Sequence, residues 1–280
     1  MSKAIPNLLT DSHMHTPLCG HAYGEPTEYA AEAVAKGFGS IVFTCHSPMP
    51  KGFWPRVRMG MDDLPAYRKM VEQARSSYEG RLRVGIGIES DWFPGYESWL
   101  EDLHGQLDGE HVLGSVHFFS PEYQAKFGVP KTDDFFRNYF DHLVESAQTG
   151  LFDTLAHPDL VKNHSPDDWQ FERLSDHISK ALDAIAKTGV GMELNTSGVN
   201  KRLPEMNPGG DMLMLMAEKG IPLVLGSDAH VADRVGNGFR EALDLAEASG
   251  YREVSMMWRR ARTPMKIEDV REALQNLAHV

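Results

Sequence analysis

Leu8-Leu-Thr-Asp-Ser-His-Met-His15 reads as a short apolar strand that runs into a carboxylate and two histidines. Side chains alternate faces along a strand, so His13 and His15 point the same way. A single His-x-His often does no more than satisfy hydrogen bonds in a core. Here the same ending recurs along the chain: Thr44-Cys-His46, Glu89 after an apolar run, Ser115-Val-His117, His157, and Asp228-Ala-His230. Asp228 and His230 again share a face, and His21 follows six positions after His15.

Each ending closes a candidate strand. The apolar runs lie at 8–15, 40–46, 82–91, 111–117, 154–157, 190–196 and 222–230, with a weaker eighth at 253–258. Between them, helical spacing predicts helices over 26–36, 63–78, 96–107, 133–149, 171–187, 211–219, 239–248 and 267–277. Pro26 suits a helix start, and Gly37, Gly150, Gly189 and Gly220 suit helix stops. Strand–helix alternation implies a parallel sheet with helices outside. No linker-like tract divides the chain, so one domain over 1–280, closed as a (β/α) barrel, fits best. The Pro- and Arg-rich segment 48–62 is expected to be a loop over the site.

In a parallel barrel, functional groups gather at the C-terminal strand ends. Seven of the 13 histidines fall there. His13, His15, His21, His46, Glu89, His117, His157, Asp228 and His230 are more ligands than one ion needs. Two or three divalent ions (zinc, manganese or iron) are therefore expected. Glu89 is the natural bridging carboxylate, and Gly85 and Gly87 on its face should leave room beside it. His104, His142, His164, His177 and His279 fall on helices, loops or the terminus and are expected at the surface. His111 begins a strand, at the wrong end for the site. Cys45 faces away from His46 by parity and reads as a buried thiol.

Composition narrows the function. The 280 residues are 41% hydrophobic and 24% charged, as in ordinary soluble globular proteins. No apolar run approaches the roughly 20 residues that span a bilayer, and no apolar signal region follows Met1. Cys19 and Cys45 form no CxxC pair, so a cytoplasmic enzyme is expected. A net charge of −12 disfavours nucleic-acid and membrane partners. It would also repel a phosphorylated substrate, unless bound cations reverse the field locally.

Several segments together resemble the polymerase and histidinol phosphatase (PHP) superfamily over nearly the whole chain. They are Asp-Ser-His-Met-His-Thr-Pro-Leu-Cys-Gly-His (11–21), Phe-Thr-Cys-His-Ser-Pro-Met-Pro (43–50) and Gly-Ile-Gly-Ile-Glu-Ser-Asp (85–91). Gly-Ser-Val-His (114–117), Glu-Leu-Asn-Thr-Ser-Gly (193–198) and Gly-Ser-Asp-Ala-His (226–230) continue the match. Thr-Pro-Leu-Cys-Gly-His and Asn-Thr-Ser-Gly narrow the resemblance to the monofunctional histidinol-phosphate phosphatases. The resemblance implies a distorted (β/α)7 TIM-like barrel of the PHP type with a trinuclear site. His13, His15, Glu89 and Asp228 would hold one ion, Glu89, His117 and His157 a second, and His21, His46 and His230 a third. It also implies hydrolysis of L-histidinol phosphate by a metal-bound hydroxide.

Lys201 and Arg202, with Arg58 and Lys162, are the candidates to hold the phosphate. Glu89, Asp228 and His230 are the candidate catalytic residues, with Asp228 or a neighbouring histidine giving the leaving alkoxide its proton. Two departures stand out: Asn200 where some relatives carry Arg, and Thr-Cys-His (44–46) where Thr-Asp-His is common. Three readings compete. One is a PHP-type phosphoesterase acting on nucleotides or other small phosphomonoesters. A second is an amidohydrolase, although Glu89 stands where a carbamate-forming lysine would be needed. The third is a metal-binding protein without catalysis.

Overall fold

Seven parallel strands follow one another in sheet order in the computed structural model, which describes residues 9–50 and 52–275. They are β1 (Thr10–Asp11), β2 (Ser40–Phe43), β3 (Arg83–Asp91), β4 (His111–Ser115), β5 (Thr154–Leu155), β6 (Gly191–Asn195) and β7 (Leu223–Gly226). The helices on the outside are α1 (Pro26–Ala35), α2 (Leu64–Ser77), α3 (Glu97–Leu107), α4 (Pro121–Phe127) and α5 (Asp133–Gln148). After these come α6 (Phe171–Ala186), α7 (Gly210–Glu218), α8 (Phe239–Ala248) and α9 (Ile267–Gln275). The stop glycines Gly37, Gly150, Gly189 and Gly220 have φ of 67°, 70°, 75° and 67°. That left-handed conformation ends a helix cheaply only at glycine.

Closure is uneven, and the unevenness distorts the barrel. β1 and β7 form no ladder, but the chain just beyond each one meets the other. Met14 bridges Ala229, with His15 N donating to Ala229 O at 2.9 Å and Ala229 N to His13 O at 3.3 Å. The barrel is thus zipped at its C-terminal mouth. At the other end β7 pairs instead with β8 (Glu253–Trp258), which turns back into antiparallel β9 (Ala261–Lys266). This hairpin crosses the barrel floor towards β3 and β4. Arg260 N donates to Glu110 O at 2.8 Å, and the Arg83 guanidinium lies 5.5 Å over the Trp258 ring. One end is plugged and the other carries the site.

The weak eighth strand at 253–258 is present with those bounds. Two elements escaped the sequence reading. β9 is mostly exposed and carries Arg262, Pro264 and Lys266, the composition of a managed edge strand, which reads as a polar turn. α4 is only seven residues long, although Ser120 caps it by accepting Tyr123 N at 3.1 Å and Pro121 opens it. The expected strand start at Leu8 and the helix end at 276–277 lie outside the described residues.

The reading of Gly85 and Gly87 is corrected. A Cβ at Gly85 would lie 3.0 Å from the Trp258 ring, and one at Gly87 would collide with the His111 carbonyl and Thr44. These glycines admit neighbouring backbone and ring into the floor, and leave no space for a ligand. Buried apolar side chains from Leu9 to Val270 form one continuous core around the strands. Among the described residues, no helix is long and apolar enough to cross a membrane.

Candidate metal centre

The mouth of the barrel brings the nine predicted groups together. β1 runs on into His13 and His15, both fully buried. His15 Nε2 lies 3.2 Å from His13 Nε2 and 3.1 Å from Asp228 Oδ1. Glu89 Oε2 is 3.6 Å from His13 Nε2 and 3.7 Å from His15 Nε2. The other oxygen of Glu89 faces a second set: Oε1 is 2.9 Å from His157 Nε2 and 3.4 Å from His117 Nε2. A third set joins His21, His46 and His230, with the Nε2 atoms of His21 and His230 3.0 Å apart. Glu89 thus stands between two groups of nitrogens, as a bridging carboxylate must.

These contacts fit metal ligation better than hydrogen bonding. Two nitrogens about 2 Å from a tetrahedral ion lie roughly 3.3 Å apart, the spacing seen here. His15 Nδ1, His46 Nδ1, His157 Nδ1 and Glu89 Oε2 are buried without a hydrogen-bond partner. His46 Nδ1 and Glu89 Oε2 are 2.7 Å apart, yet they are not aligned as donor and acceptor. A buried polar atom left in this way costs about 1–3 kcal/mol, and a cation shared by His46 Nδ1 and Glu89 Oε2 would remove that cost for those two.

Protonation in the metal-free protein follows the same geometry. Burial disfavours the His13 cation, but Glu193, Asp228 and Glu89 outweigh it and raise its pKa well above the usual value. Against the same burial, Asp228 beside His15 raises it to about 9. Asp91 and Glu89 likewise lift His117 to about 10. Burial lowers His46 to about 4 and His230 to about 3, with the neighbouring His15 cation adding to both. Glu89 and Asp228 are held well below the carboxylate range by the surrounding imidazoles, despite burial. A metal would displace the protons from His13, His15 and His117.

Several residues that orient this cluster were missed in the sequence. Glu193 Oε1 lies 2.7 Å from His13 Nδ1, and its Oε2 accepts from His157 N at 2.8 Å. Asp91 Oδ1 lies 2.5 Å from His117 Nδ1. Asn195 donates to Glu193 at 3.0 Å and to Asp228 at 3.3 Å. Asp11 accepts from Ser227 N at 3.0 Å and Gly236 N at 2.8 Å, fixing the turn that carries Asp228. Such partners fix a ligand's tautomer and orientation. The missed signal was parity, because Asp91 shares a face with Glu89, and Asn195 with Glu193. Asp228 and His157 have φ of 52° and 28°, a strained region for residues other than glycine.

A 390 Å³ pocket opens over the cluster, lined on its far side by Phe118, Phe119, Leu160 and His164 and at its edge by Lys201 and Arg202. Lys201 Nζ donates to Ser197 Oγ at 3.0 Å and lies 4.0 Å from Asp228 Oδ2. Arg202 is exposed beside it, whereas Asn200 is exposed and donates through Nδ2 to Ser197 O at 3.5 Å. A larger cleft of 870 Å³ sits by α7, α8 and the β8–β9 hairpin and holds none of the cluster.

Two of the four expected phosphate contacts are corrected. Arg58 is buried with its guanidinium on Asp91 and on the carbonyls of Trp54 and Ser47. Lys162 is buried too, committed to Asp159 at 2.8 Å, Glu205 at 3.0 Å and Met206 O at 2.9 Å. His104 and His142, expected at the surface, are buried against Ser90 Oγ at 2.7 Å and Tyr123 Oη at 2.6 Å. His164 is exposed but belongs to the pocket wall, and His177 pairs with Asp141 on the outside. His111 is buried at the strand start, against Thr154 Oγ1 at 3.0 Å, and His279 lies outside the described residues. Cys45 is the buried thiol expected, with Thr16 Oγ1 3.2 Å from its sulfur.

Known proteins are similar to this chain in sequence and in fold. A PHP domain model matches residues 11–197, a span that includes every cluster member except Asp228 and His230. The "Probable histidinol-phosphatase" of Deinococcus radiodurans is 37% identical over 261 residues, covering 90% of this chain and 98% of its own. The histidinol-phosphatase of Bacillus subtilis is 29% identical over 84% of this chain and 98% of its own. The structure of histidinol phosphate phosphatase from Lactococcus lactis, complexed with zinc, L-histidinol and phosphate, has the same fold. Its TM-score is 0.77 at 20% identity, covering 91% of this chain and 98% of that one. By the extent of the domain match and the length of these alignments, the chain belongs to the PHP family.

Proposed function

We propose that the protein hydrolyses L-histidinol phosphate to L-histidinol and phosphate, a step of histidine biosynthesis, with divalent metal ions at the barrel mouth. The observation that carries the reading is the convergence of the nine candidate ligands, seven of which line a pocket that also holds Lys201 and Arg202, with His13 and His15 buried behind them. Relatives named histidinol-phosphatase that align over nearly their whole length support the substrate. A net charge of −12 and a sequence with no basic stripe argue against long nucleic acid, and the named relatives argue against nucleotides. Work on a small biosynthetic intermediate supports a cytoplasmic location.

The trinuclear partition is supported by the three sets of short contacts around Glu89, Asp228 and His230. Ions bound there supply Lewis acidity and lower the pKa of water to roughly 7. The remaining work falls to the chain. Lys201 and Arg202 hold the phosphoryl oxygens and offset their charge as the ester bond breaks. Asp228, beside His230 and fixed through Oδ2 by Ser197 Oγ at 3.0 Å, carries the water proton to the leaving alkoxide. Glu89 holds His117, His157 and His46 in register. The metal is zinc, manganese or iron, the ions that imidazole and carboxylate ligands suit.

Phosphate release from L-histidinol phosphate, AMP and an aryl phosphate, measured on the metal-loaded enzyme, tests the reading. L-Histidinol phosphate should give the highest kcat/KM. Equal or faster hydrolysis of AMP would move the protein to the general phosphoesterases.

A further inference from the structure

Arg58 forms no part of the pocket wall, yet it is among the most heavily engaged side chains near the centre. Its side chain is 2% exposed, and Nη2 meets Asp91 Oδ2 at 2.5 Å. Nη1 donates to Ser47 O at 3.0 Å and Nε to Trp54 O at 3.2 Å. The guanidinium also lies 5.5 Å from the Phe53 ring and 5.7 Å from the Trp54 ring. One residue therefore fastens three points: the loop at Trp54, the chain leaving β2 at Ser47, and the carboxylate at the end of β3.

That carboxylate meets His117 Nδ1 through Oδ1 while Oδ2 takes Arg58. Ser47 closes the circuit, because its N donates to Glu89 O at 2.8 Å and its Oγ accepts from Asp91 N at 3.2 Å. The loop is held from its other side as well. Glu122 Oε1 accepts Trp54 N at 2.9 Å, and Trp54 sits at φ 35° with its ring 6.2 Å from His117 and 5.1 Å from Phe119. A buried carboxylate that loses one charged partner is left poorly compensated and moves or draws in water. A histidine ligand that loses its anchored carboxylate loses orientation, typically 10–100-fold in metal affinity.

We propose that Arg58 is a positioning residue that locks the 52–60 loop onto Asp91, fixing His117 where it can hold an ion together with Glu89 and His157. The proposal rests on the metal reading above and adds a dependence of one ion on a loop that meets His117 through the Trp54 ring. Loop order and retention of that ion are one event.

The test counts metal. Wild type, Arg58→Met, Arg58→Lys, Asp91→Asn and His157→Ala are loaded with zinc and dialysed against a competing chelator. Zinc per chain is then measured by elemental analysis, and unfolding is followed on the metal-stripped forms. Arg58→Met and Asp91→Asn should each retain one ion fewer than wild type, with that ion bound roughly 10–100-fold more weakly. Arg58→Lys, which keeps the charge without the fork, should fall between. If Arg58→Met does not fold, the same count on Arg58→Lys decides. Full zinc retention at wild-type affinity in the Arg58 variants overturns the proposal, even if their stripped forms melt earlier. His157→Ala separates the two failures. If it also keeps every ion, the metal reading falls. If it alone loses one, only the role of Arg58 falls.

Discussion

The molecule buries two populations of histidine, and burial alone does not tell them apart. At the barrel mouth, rings crowd one another with nitrogens 3.0–3.2 Å apart and buried atoms left without partners. In the flank beside β3, His104 on α3 and His142 on α5 each have one hydroxyl partner and aromatic packing, His142 lying 4.4 Å from the Phe127 ring. Carboxylates hold His15 near 9 and His117 near 10, whereas burial pushes His104 and His142 to about 4, outweighing Asp141 at His142. A ligand histidine is recognised by the convergence of surplus donors. A core histidine such as His104 or His142 meets a single hydroxyl instead.

Removing metal should separate the two populations most sharply. Chelation should lower kcat/KM for L-histidinol phosphate by about 10³-fold or more, since Lewis-acid stabilisation supplies several kcal/mol. Restoring zinc, manganese or iron should recover it, and activity that survives complete stripping would refute the metal chemistry. Glu193→Gln, which weakens the anchor of His13, should cost roughly 10–100-fold in metal affinity by competition titration. His104→Asn and His142→Asn should leave that titration unmoved. Lys201→Ala should raise KM by about tenfold, the size of one charged hydrogen bond, while the metal count stays at the wild-type value. An unchanged KM would remove Lys201 from the phosphate site.

The smallest effect belongs to the flank. His142 titrates near 6.5 in the unfolded chain and at about 4 in the fold. Between those values the unfolded chain binds more protons, so stability falls as pH falls and is fully present above the unfolded value. His142→Asn should therefore flatten the acid limb of the unfolding midpoint against pH for the metal-stripped protein. An acid limb as steep as that of wild type would show that His142 is not the group responsible.

The sequence made the mouth legible because strand parity is a hard rule. His13 with His15, and Asp228 with His230, had to share faces, and the seven strand ends had to gather at one end of a parallel barrel. The grouping of ligands into three sets came only from family resemblance, because His21 and His46 reach the site from segments beyond the strands. Charge was the least legible property. Arg58 and Lys162 looked like Lys201, since a sequence does not record whether a cation meets solvent or a buried carboxylate. Asp91 and Glu193 were hidden differently. They sit inside quoted motifs, with the right parity, but one turn of contact behind the ligands. β9 was lost because an exposed edge strand carries no hydrophobic alternation.

The zip between Met14 and Ala229 has a consequence for how the enzyme is made. His15 and Asp228, 3.1 Å apart, are separated by 213 positions, so the two halves of the seam leave the ribosome at very different times. Synthesis proceeds at about 5–20 residues per second, which leaves the early histidines waiting roughly ten seconds or more for the last carboxylate. During that interval the nascent chain offers a partial set of ligands in an open sheet. The full set of candidate ligands therefore exists only once residue 230 has been made, and a chain truncated before it should retain less metal than the full chain.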